Sequence, residues 1–148
     1  SHLRWPLISA MFRLPIRAER QEREARERAR ALLEIVGLED QSERWAGELV
    51  WVQRQQLQIA RAMASEPALL LLDEPTAGMG AAETEEIEAI IRRINESGVT
   101  IMLVSHDVDL VARLSDDITV LMYGEKISEG KPGEVLADPR VQEAYLGA

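Results

Sequence analysis

Cysteine is absent from this sequence of 148 residues, and aromatic residues are few: three tryptophans, two tyrosines and one phenylalanine. Without thiols the chain can form neither disulfides nor thiolate metal sites, which fits a reducing compartment. No apolar run approaches the roughly 18 residues that a membrane-spanning helix needs, because the longest apolar stretches have the length of strands. A hydrophobic core, rather than covalent cross-links, must therefore stabilise the fold.

Basic residues are the minority charge. The chain carries 17 Lys and Arg against 26 Asp and Glu, so its formal net charge is −9. General nucleic-acid binders usually present a basic face, so this balance predicts no nucleic-acid partner. Hydrophobic residues make up 46 % and charged residues 29 % of the chain, which is ordinary for one globular domain.

The first predicted element is a helix over residues 17–36. Acidic residues precede basic ones by four positions, which favours a solvated helix face, with a docking surface for a partner as the alternative. Gly37 supplies the stop, and residues 1–15 predict no element. Apolar residues recur at helical spacing along one stripe: Ala25, Ala29, Leu32, Leu33 and Val36.

Helical segments and short apolar runs then alternate. Helices are predicted over about 50–64, 81–97 and 108–114, and strands over 68–72 and 99–104. Both strand segments are apolar at nearly every position, which is typical of strands buried on both faces of a parallel sheet. The order predicts an α/β fold with parallel strands.

The last part of the chain predicts a hairpin and two short helices. Residues 118–123 and 126–128 flank Gly124-Glu125, which is typical of a hairpin turn. Pro132 and Pro139 stand at positions where proline opens a helix.

Polar side chains follow both predicted parallel strands. Leu69 to Leu72 lead into Asp73-Glu74-Pro75, and the second strand leads into Ser105-His106-Asp107. Because ligands bind at the carboxyl ends of parallel strands, we expect the two clusters to form one site.

The residue types in these clusters suit phosphoryl transfer. An aspartate after an apolar strand can hold the Mg²⁺ that bridges nucleotide phosphates, and a neighbouring glutamate can orient or deprotonate the attacking water. The histidine can donate to the transferring phosphoryl group. A strand that merely ends in surface polar residues is the alternative, and four leucines before Asp73-Glu74 disfavour it.

Further motifs surround the clusters at matching spacing. Residues 53–62 read Gln-Arg-Gln-Gln-Leu-Gln-Ile-Ala-Arg-Ala, and Pro67 precedes the first strand. With the two clusters, this series resembles the signature helix, Walker B strand, D-loop and switch histidine of ABC ATPases. Ala77-Gly78-Met79 and the tail from Tyr123 to Gly147 are similar to the subfamily that serves branched-chain amino acid importers.

The resemblance implies a role for each matching residue. Asp73 would hold Mg²⁺ through water, Glu74 would be the catalytic base, and His106 would contact the γ-phosphate. The D-loop, which meets the partner subunit, would be Ala77, Gly78, Met79 and Gly80. The signature segment, which closes over the partner subunit's ATP, would be Leu49, Val50, Trp51, Val52 and Gln53.

The resemblance also implies a division of the chain. Residues 1–66 would hold an N-terminal segment and the helical subdomain with the signature. Residues 67–148 would hold the C-terminal part of the ATPase core, so the fold would be a partial P-loop ATPase core with parallel strands, followed by a hairpin and helices. The complete protein would use ATP and Mg²⁺.

Two features depart from the family. The sequence contains no G-x-x-x-x-G-K-[ST] loop, whose backbone N–H groups and lysine cradle the phosphates. We therefore expect the chain to be the C-terminal portion of a longer protein, and to bind no nucleotide by itself. The signature is also altered, since Val50 and Val52 stand where the family has serine and glycine, and Gly80 stands where a capping Asn or Asp is usual.

The resulting prediction is an ATP-binding and ATP-hydrolysing subunit of an ABC importer, for branched-chain amino acids. Its partners would be a second identical or different ATPase subunit and transmembrane permease subunits, on the cytoplasmic face of the cell membrane. The chain by itself, lacking a strand of the sheet, is expected to self-associate or to rearrange its N-terminal segment to cover the gap. The alternative is a non-catalytic remnant or interaction module that keeps the fold, with a soluble ABC ATPase of another system as a third reading.

Overall fold

The computed structural model describes residues 5–146, with side chains from residue 19 to residue 145. The chain divides into two compact units, residues 1–67 and residues 68–148. The first unit contains α1 (Trp5–Ile35), α2 (Trp51–Met63) and two short 3₁₀ turns between them. The second contains four strands and the remaining helices. None of the helices in the described part of the chain is long and apolar enough to cross a membrane.

Helix α1 begins well before the predicted start at residue 17 and continues through Pro15. The prediction that residues 1–15 form no element is therefore wrong from Trp5 onward. Proline lacks a backbone N–H, so a helix can pass through it only by giving up one hydrogen bond, which made the sequence favour a later start.

The end of α1 lies where the sequence predicted it. Gly37 adopts a left-handed φ of 73°, and the N–H groups of Gly37 and Leu38 donate to the carbonyls of Glu34 and Leu33 at 3.1 and 2.8 Å. This paired closure is the Schellman motif, in which glycine avoids the steric cost of the left-handed residue. The charged face of α1 is exposed from residue 19 onward, as expected of a solvated face.

The first unit has a small apolar core where α1 packs against α2. Val36 and Leu38 are completely or almost completely buried just beyond the end of α1. From the second half of the unit come Leu49, Ile59, Ala60 and Met63, all buried.

The second unit is built on a parallel pair, β1 (Leu69–Asp73) and β2 (Thr100–Val104), joined by α3 (Ala81–Glu96). The register sets Leu69 beside Thr100 and Asp73 beside Val104. Leu70 and Leu72 are buried, and so is the predicted apolar stripe of α3, Ile87, Ile90, Ile91 and Ile94. These elements confirm the predicted strand–helix–strand order.

The opposite face of this pair is exposed, which corrects the prediction that both strands are buried on both faces. Leu69, Leu71, Met102 and Val104 are each about half exposed. Side chains alternate across a strand, so these residues share one face with Asp73. Within the described residues, the core covers only the other face.

The remaining strands form a separate antiparallel hairpin, β3 (Ile118–Met122) and β4 (Glu125–Gly130). The turn is Tyr123-Gly124, one residue earlier than predicted, with φ values of 52° and 83°. A two-residue hairpin turn of this kind needs positive φ at both central residues, and glycine meets that need at the second. Among the described strands, β3 pairs with β4 and not with β2, so the parallel sheet has two strands.

Short helices complete the second unit: α4 (Val108–Leu114), α5 (Pro132–Leu136), α6 (Pro139–Val141) and a π-helical turn (Gln142–Leu146). Proline opens α5 and α6, as predicted. Val135 and Val141 pack with Ile118 of the hairpin in a small core.

Candidate functional site

The carboxyl ends of β1 and β2 lie side by side. Asp73 is the partner of Val104 in the parallel ladder, and the backbone N–H of Glu74 extends the ladder by donating to the Val104 carbonyl at 2.8 Å. The next two residues after β2 are Ser105 and His106. The structure therefore brings both predicted polar clusters to one edge of the sheet.

Glu74 has an unusual backbone. Its φ is +46°, in the left-handed region that costs a residue with a Cβ about 1–2 kcal/mol. In regular strand alternation the side chain after Asp73 would point to the buried face. The left-handed residue ends that alternation, and the Glu74 side chain instead reaches the loop that follows β2.

The Glu74 carboxylate collects three donors from that loop. Oε1 accepts the backbone N–H of His106 at 3.0 Å and lies 2.9 Å from His106 Nδ1. Oε2 accepts the hydroxyl of Ser105 at 3.3 Å. Such bonds to a charged acceptor fix the carboxylate in one orientation.

These contacts shift the pKa values of both groups, in opposite directions. The hydrogen bond from the His106 side chain holds the pKa of Glu74 below its ordinary value. The backbone N–H of His106 and the hydroxyl of Ser105 lower that pKa by smaller amounts. The same hydrogen bond and the negative charge of Glu74 raise the pKa of His106. Glu74 is therefore ionised at neutral pH, and as a carboxylate it can only accept hydrogen bonds.

Asp73 is exposed at the end of β1, on the same face as Leu69 and Leu71. Within the described residues no cluster of three or more potential ligands could hold a metal ion by itself. Magnesium in nucleotide sites is commonly held by one or two carboxylates together with phosphates and water. Asp73 fits that requirement for a single carboxylate, with the rest of the coordination coming from a nucleotide.

The predicted D-loop residues form two successive turns after Glu74. The N–H of Ala77 donates to the Glu74 carbonyl and that of Met79 to the Thr76 carbonyl, both at 3.1 Å. Gly78 takes a left-handed φ of 75°, which glycine adopts without strain. Gly80 precedes α3, where its N–H donates to Glu83 Oε2 at 2.9 Å. This bond is the half of a capping box that the Glu83 side chain makes, and Gly80 has no side chain to make the other half to the N–H of Glu83.

The predicted signature residues lie in the first unit, around the start of α2. Leu49 is buried at 5 % exposure, whereas Val50 and Trp51 are each 59 % exposed. Val52 and Gln53 are half-buried. The Gln53 side chain accepts the N–H of Val50 at 3.2 Å, which satisfies one backbone donor before the helix.

Arg54 also holds the predicted signature segment, through its backbone. Its guanidinium donates to the carbonyls of Leu49 at 2.8 Å and Gly47 at 3.0 Å. Two charge-assisted bonds to backbone oxygens fix the path of the chain into α2. This role was not predictable from the sequence, because an exposed arginine in a helix usually lies in solvent.

Known proteins match nearly the whole length of the chain. Residues 7–77 match the ABC transporter family, and residues 125–148 match the branched-chain amino acid ATP-binding cassette transporter family. The chain is 40 % identical over 99 % of its length to the high-affinity branched-chain amino acid transport ATP-binding protein BraF of Pseudomonas aeruginosa. The chain belongs to the family of ABC-transporter ATP-binding proteins.

Other ABC proteins are similar over comparable lengths. LivG of Salmonella typhimurium, also a high-affinity branched-chain amino acid transport ATP-binding protein, is 38 % identical over 98 % of the chain. Among solved structures, the ADP conformation of MJ1267, an ATP-binding cassette of an ABC transporter, has a TM-score of 0.76 at 32 % identity over 84 % of this chain. CbiO1 of Clostridium perfringens, part of the ABC transporter complex CbiONQ, has a TM-score of 0.74 at 32 % identity over 83 %.

The relatives are longer than this chain. The chain spans 57 % of BraF and of LivG, and 51 % and 49 % of the MJ1267 and CbiO1 chains. The fold is that of part of an ABC ATPase cassette, with the parallel strand pair as its centre. In this ABC protein the sequence identified the residues of the strand edge, but it assigned no role to Ser105. Only the position of its hydroxyl beside Glu74 gives it one.

Proposed function

We propose that the complete protein is the ATP-hydrolysing subunit of an ABC importer for branched-chain amino acids, with Asp73, Glu74 and His106 in its catalytic site. The observation that carries this proposal is the meeting of an exposed Asp73 and an ionised, hydrogen-bonded Glu74 with His106 at one sheet edge. The substrate class rests on the similarity to BraF and LivG over nearly the whole chain.

Each residue has a defined task in this proposal. Asp73 supplies a carboxylate to Mg²⁺, which would neutralise charge on the phosphates. Glu74, ionised at neutral pH, accepts a hydrogen bond or a proton from the attacking water. His106 would donate from Nε2 to the transferring phosphoryl group in its protonated form, which its raised pKa favours, while Nδ1 stays on Glu74, and its 80 % exposed side chain is accessible from solvent.

The partners follow from the same family. A second ATPase subunit would face the D-loop, Ala77 to Gly80, and would place its ATP against the signature segment, Leu49 to Gln53. Permease subunits would hold the pair on the cytoplasmic face of the membrane. Exposure of Val50 and Trp51 supports a contact role for that segment, since large apolar side chains in solvent often mark an interface.

The chain by itself is expected not to bind ATP, because it has no phosphate-cradling loop. Titration with Mg-ATP, followed by the fluorescence of the three tryptophans, measures this. We expect no saturable change up to millimolar nucleotide. Tight saturable binding would contradict the expectation and would assign the phosphate contacts to residues other than a P-loop.

Catalysis is tested in a fusion that joins the unmatched portion of BraF to this chain. Glu74→Gln should lower the rate of ATP turnover by about 100-fold or more, because it removes the proposed general base, while ATP binding persists. Glu85→Gln, at an exposed position on α3, is the matched control and should turn over like the parent fusion. Full activity of the Glu74→Gln fusion would reject the proposal.

A second candidate function is a non-catalytic member of an ABC pair. Val50 lacks a hydroxyl for a phosphate, and Val52 adds a β-branched side chain where glycine allows close approach of the backbone. The double substitution Val50→Ser and Val52→Gly in the same fusion separates the two. A large gain in ATPase rate would favour the second candidate, because it would show that the native Val50 and Val52 impair catalysis. An unchanged rate would show that ATP hydrolysis tolerates the native segment.

A further inference from the structure

Ser105 stands between the proposed catalytic carboxylate and the start of α4. Its hydroxyl donates to Glu74 Oε2 at 3.3 Å, and its oxygen accepts the N–H of Asp107 at 3.1 Å. The Asp107 carboxylate in turn accepts the N–H of Leu110 at 2.9 Å, which caps α4. Leu110 is completely buried. The hydroxyl that meets Glu74 is therefore tied, through two further bonds, to the packed helix α4.

The second side chain on Glu74 has no such support. The His106 side chain is 80 % exposed and lies on Glu74 Oε1, whereas Ser105 is half-buried and lies on Oε2. A serine hydroxyl has one hydrogen. The N–H of Asp107 already donates to the Ser105 oxygen, and the hydroxyl hydrogen of Ser105 is directed to the Glu74 carboxylate. Ser105 thus gives Glu74 a fixed donor, and the exposed histidine gives it a movable one.

We propose that Ser105 is a positioning residue, which holds the Glu74 carboxylate turned so that Oε1 meets His106. The inference rests on the proposed role of Glu74 as the base, but its geometric content does not depend on hydrolysis. Without the hydroxyl, Oε2 loses its donor, and the backbone N–H of His106 on Oε1 is the one fixed donor that the carboxylate keeps, so the carboxylate can turn about that bond. The contact with the His106 ring then becomes one of several arrangements.

The test uses the 148-residue chain and the ¹⁵N signals of the His106 ring. When the imidazole is neutral, a carboxylate facing Nδ1 favours the tautomer protonated at Nδ1. Ser105→Ala should lower the ratio of this tautomer to the Nε2–H form by at least about two-fold, and Ser105→Thr, which keeps the hydroxyl, should restore it. A His2→Gln variant assigns the ring signals, because the sequence has two histidines.

Two controls separate positioning from loss of fold. Ser97→Ala removes another serine of the same unit, whose hydroxyl donates to the Ile94 carbonyl at 2.6 Å, and should leave the His106 ratio unchanged. The amide signal of Leu110 reports whether the α4 cap survives. If Ser105→Ala loses that cap, Ser105→Cys, with a weaker donor, takes its place and should give an intermediate ratio.

The proposal is overturned if Ser105→Ala keeps the wild-type tautomer ratio with α4 intact, or if Ser105→Thr shifts it as far as alanine does. An equal shift in Ser97→Ala also overturns it. Since no nucleotide is present, these outcomes are independent of the ATPase measurements. The positioning role can therefore fail while the proposed function stands, and the reverse.

Discussion

At the scale of single residues, Glu74 is the position where side-chain role and backbone geometry conflict. Its positive φ of 46° would suit glycine, yet glutamate is present and its carboxylate has three donors. Strained backbone at a functional site persists when the surrounding contacts determine it. The strain here is the cost of placing the carboxylate beside His106.

The strain predicts an inverted order of stability at this position. Glu74→Gly should be more stable to urea than Glu74→Ala by about 1 kcal/mol, because both lose the carboxylate and only alanine keeps the left-handed penalty. Urea unfolding followed by circular dichroism measures the difference.

The matched control lies on α3. At the exposed helical position Glu85, alanine should be more stable than glycine by about 1 kcal/mol, the usual order within a helix. If alanine were the more stable substitution at both positions, the backbone of Glu74 would not be strained.

At the scale of elements, β1 is a strand with one buried and one exposed apolar face. Leu70 is 4 % exposed and Leu71 is 64 % exposed, although the sequence gives four identical leucines in a row. Strand alternation divides them into two pairs, and the helix that covers one pair determines their contribution to stability.

This division predicts very different costs for the same substitution. Leu70→Ala should destabilise the chain by about 2–5 kcal/mol, because it leaves a cavity in the core. Leu71→Ala should cost less than about 1 kcal/mol, because its side chain is largely in solvent. Chemical denaturation compares the two at a protein concentration dilute enough for the chain to be monomeric, and equal losses there would mean that the chain itself covers Leu71.

An ion pair links α3 to α4. Glu88 of α3 contacts Arg92 at 3.0 Å and Arg113 of α4 at 3.2 Å, and its side chain is only 14 % exposed. Burial by itself would raise the pKa of Glu88, but the hydrogen bonds from Arg92 and Arg113 outweigh it and lower that pKa. Arg92 also donates to the Arg113 carbonyl at 2.8 Å, so the contact includes the backbone of α4.

The lowered pKa predicts a stabilisation that depends on pH. It is present at neutral pH, above the ordinary carboxyl pKa, and is lost as the pH falls through the lower folded-state value. Glu88→Gln should cost about 1 kcal/mol at pH 7 and much less near pH 3, in the unfolding free energy from urea titrations. Glu85→Gln is the control on the same helix, and a Glu88→Gln cost that did not shrink with acid would contradict the ion-pair account.

At the scale of the whole molecule, the second unit has strand edges and an apolar sheet face that no described residue covers. A cavity of about 740 Å³ in this unit is lined by consecutive residues of β2 (Ile101–Val104) and β3 (Ile118–Leu121). Consecutive lining residues indicate strand edges, since one face of a strand would contribute alternate residues. Open edges and the half-exposed face of β1 and β2 are features that favour pairing with another chain.

We therefore expect this chain to self-associate. Light scattering should show an average mass that rises above the 16.6 kDa of the monomer with concentration. Leu71→Lys combined with Met102→Lys should lower the association, because charge replaces the centre of the exposed face. Tyr123→Lys combined with Trp45→Lys, at positions that are 98 % and 81 % exposed, is the charge-matched control. A monodisperse monomer across the concentration range would contradict the expectation.

The sequence by itself determined most of the elements and the identity of the strand-edge residues. Helices α2 to α4 and strands β1 and β2 lie within one or two residues of their predictions, and α5 and α6 begin at the predicted prolines, because apolar periodicity, glycine stops and proline starts are local signals. Leu69 to Pro75 and Ser105 to Asp107 were found for the same reason. Each is a short segment whose residue types carry the chemistry.

Only the tertiary structure decided which leucines of β1 are buried and how Glu74 is held. Both depend on neighbours distant in sequence: burial of Leu70 requires a helix on one face and solvent on the other, and the Glu74 carboxylate depends on donors 31 and 32 residues away. The predicted start of α1 was too late because proline usually ends or begins a helix, whereas α1 continues through Pro15. The hairpin turn lies one residue earlier than predicted because the pairing between β3 and β4 sets the register. Local pattern fixes the kind of element, whereas burial and side-chain contacts depend on what packs against it.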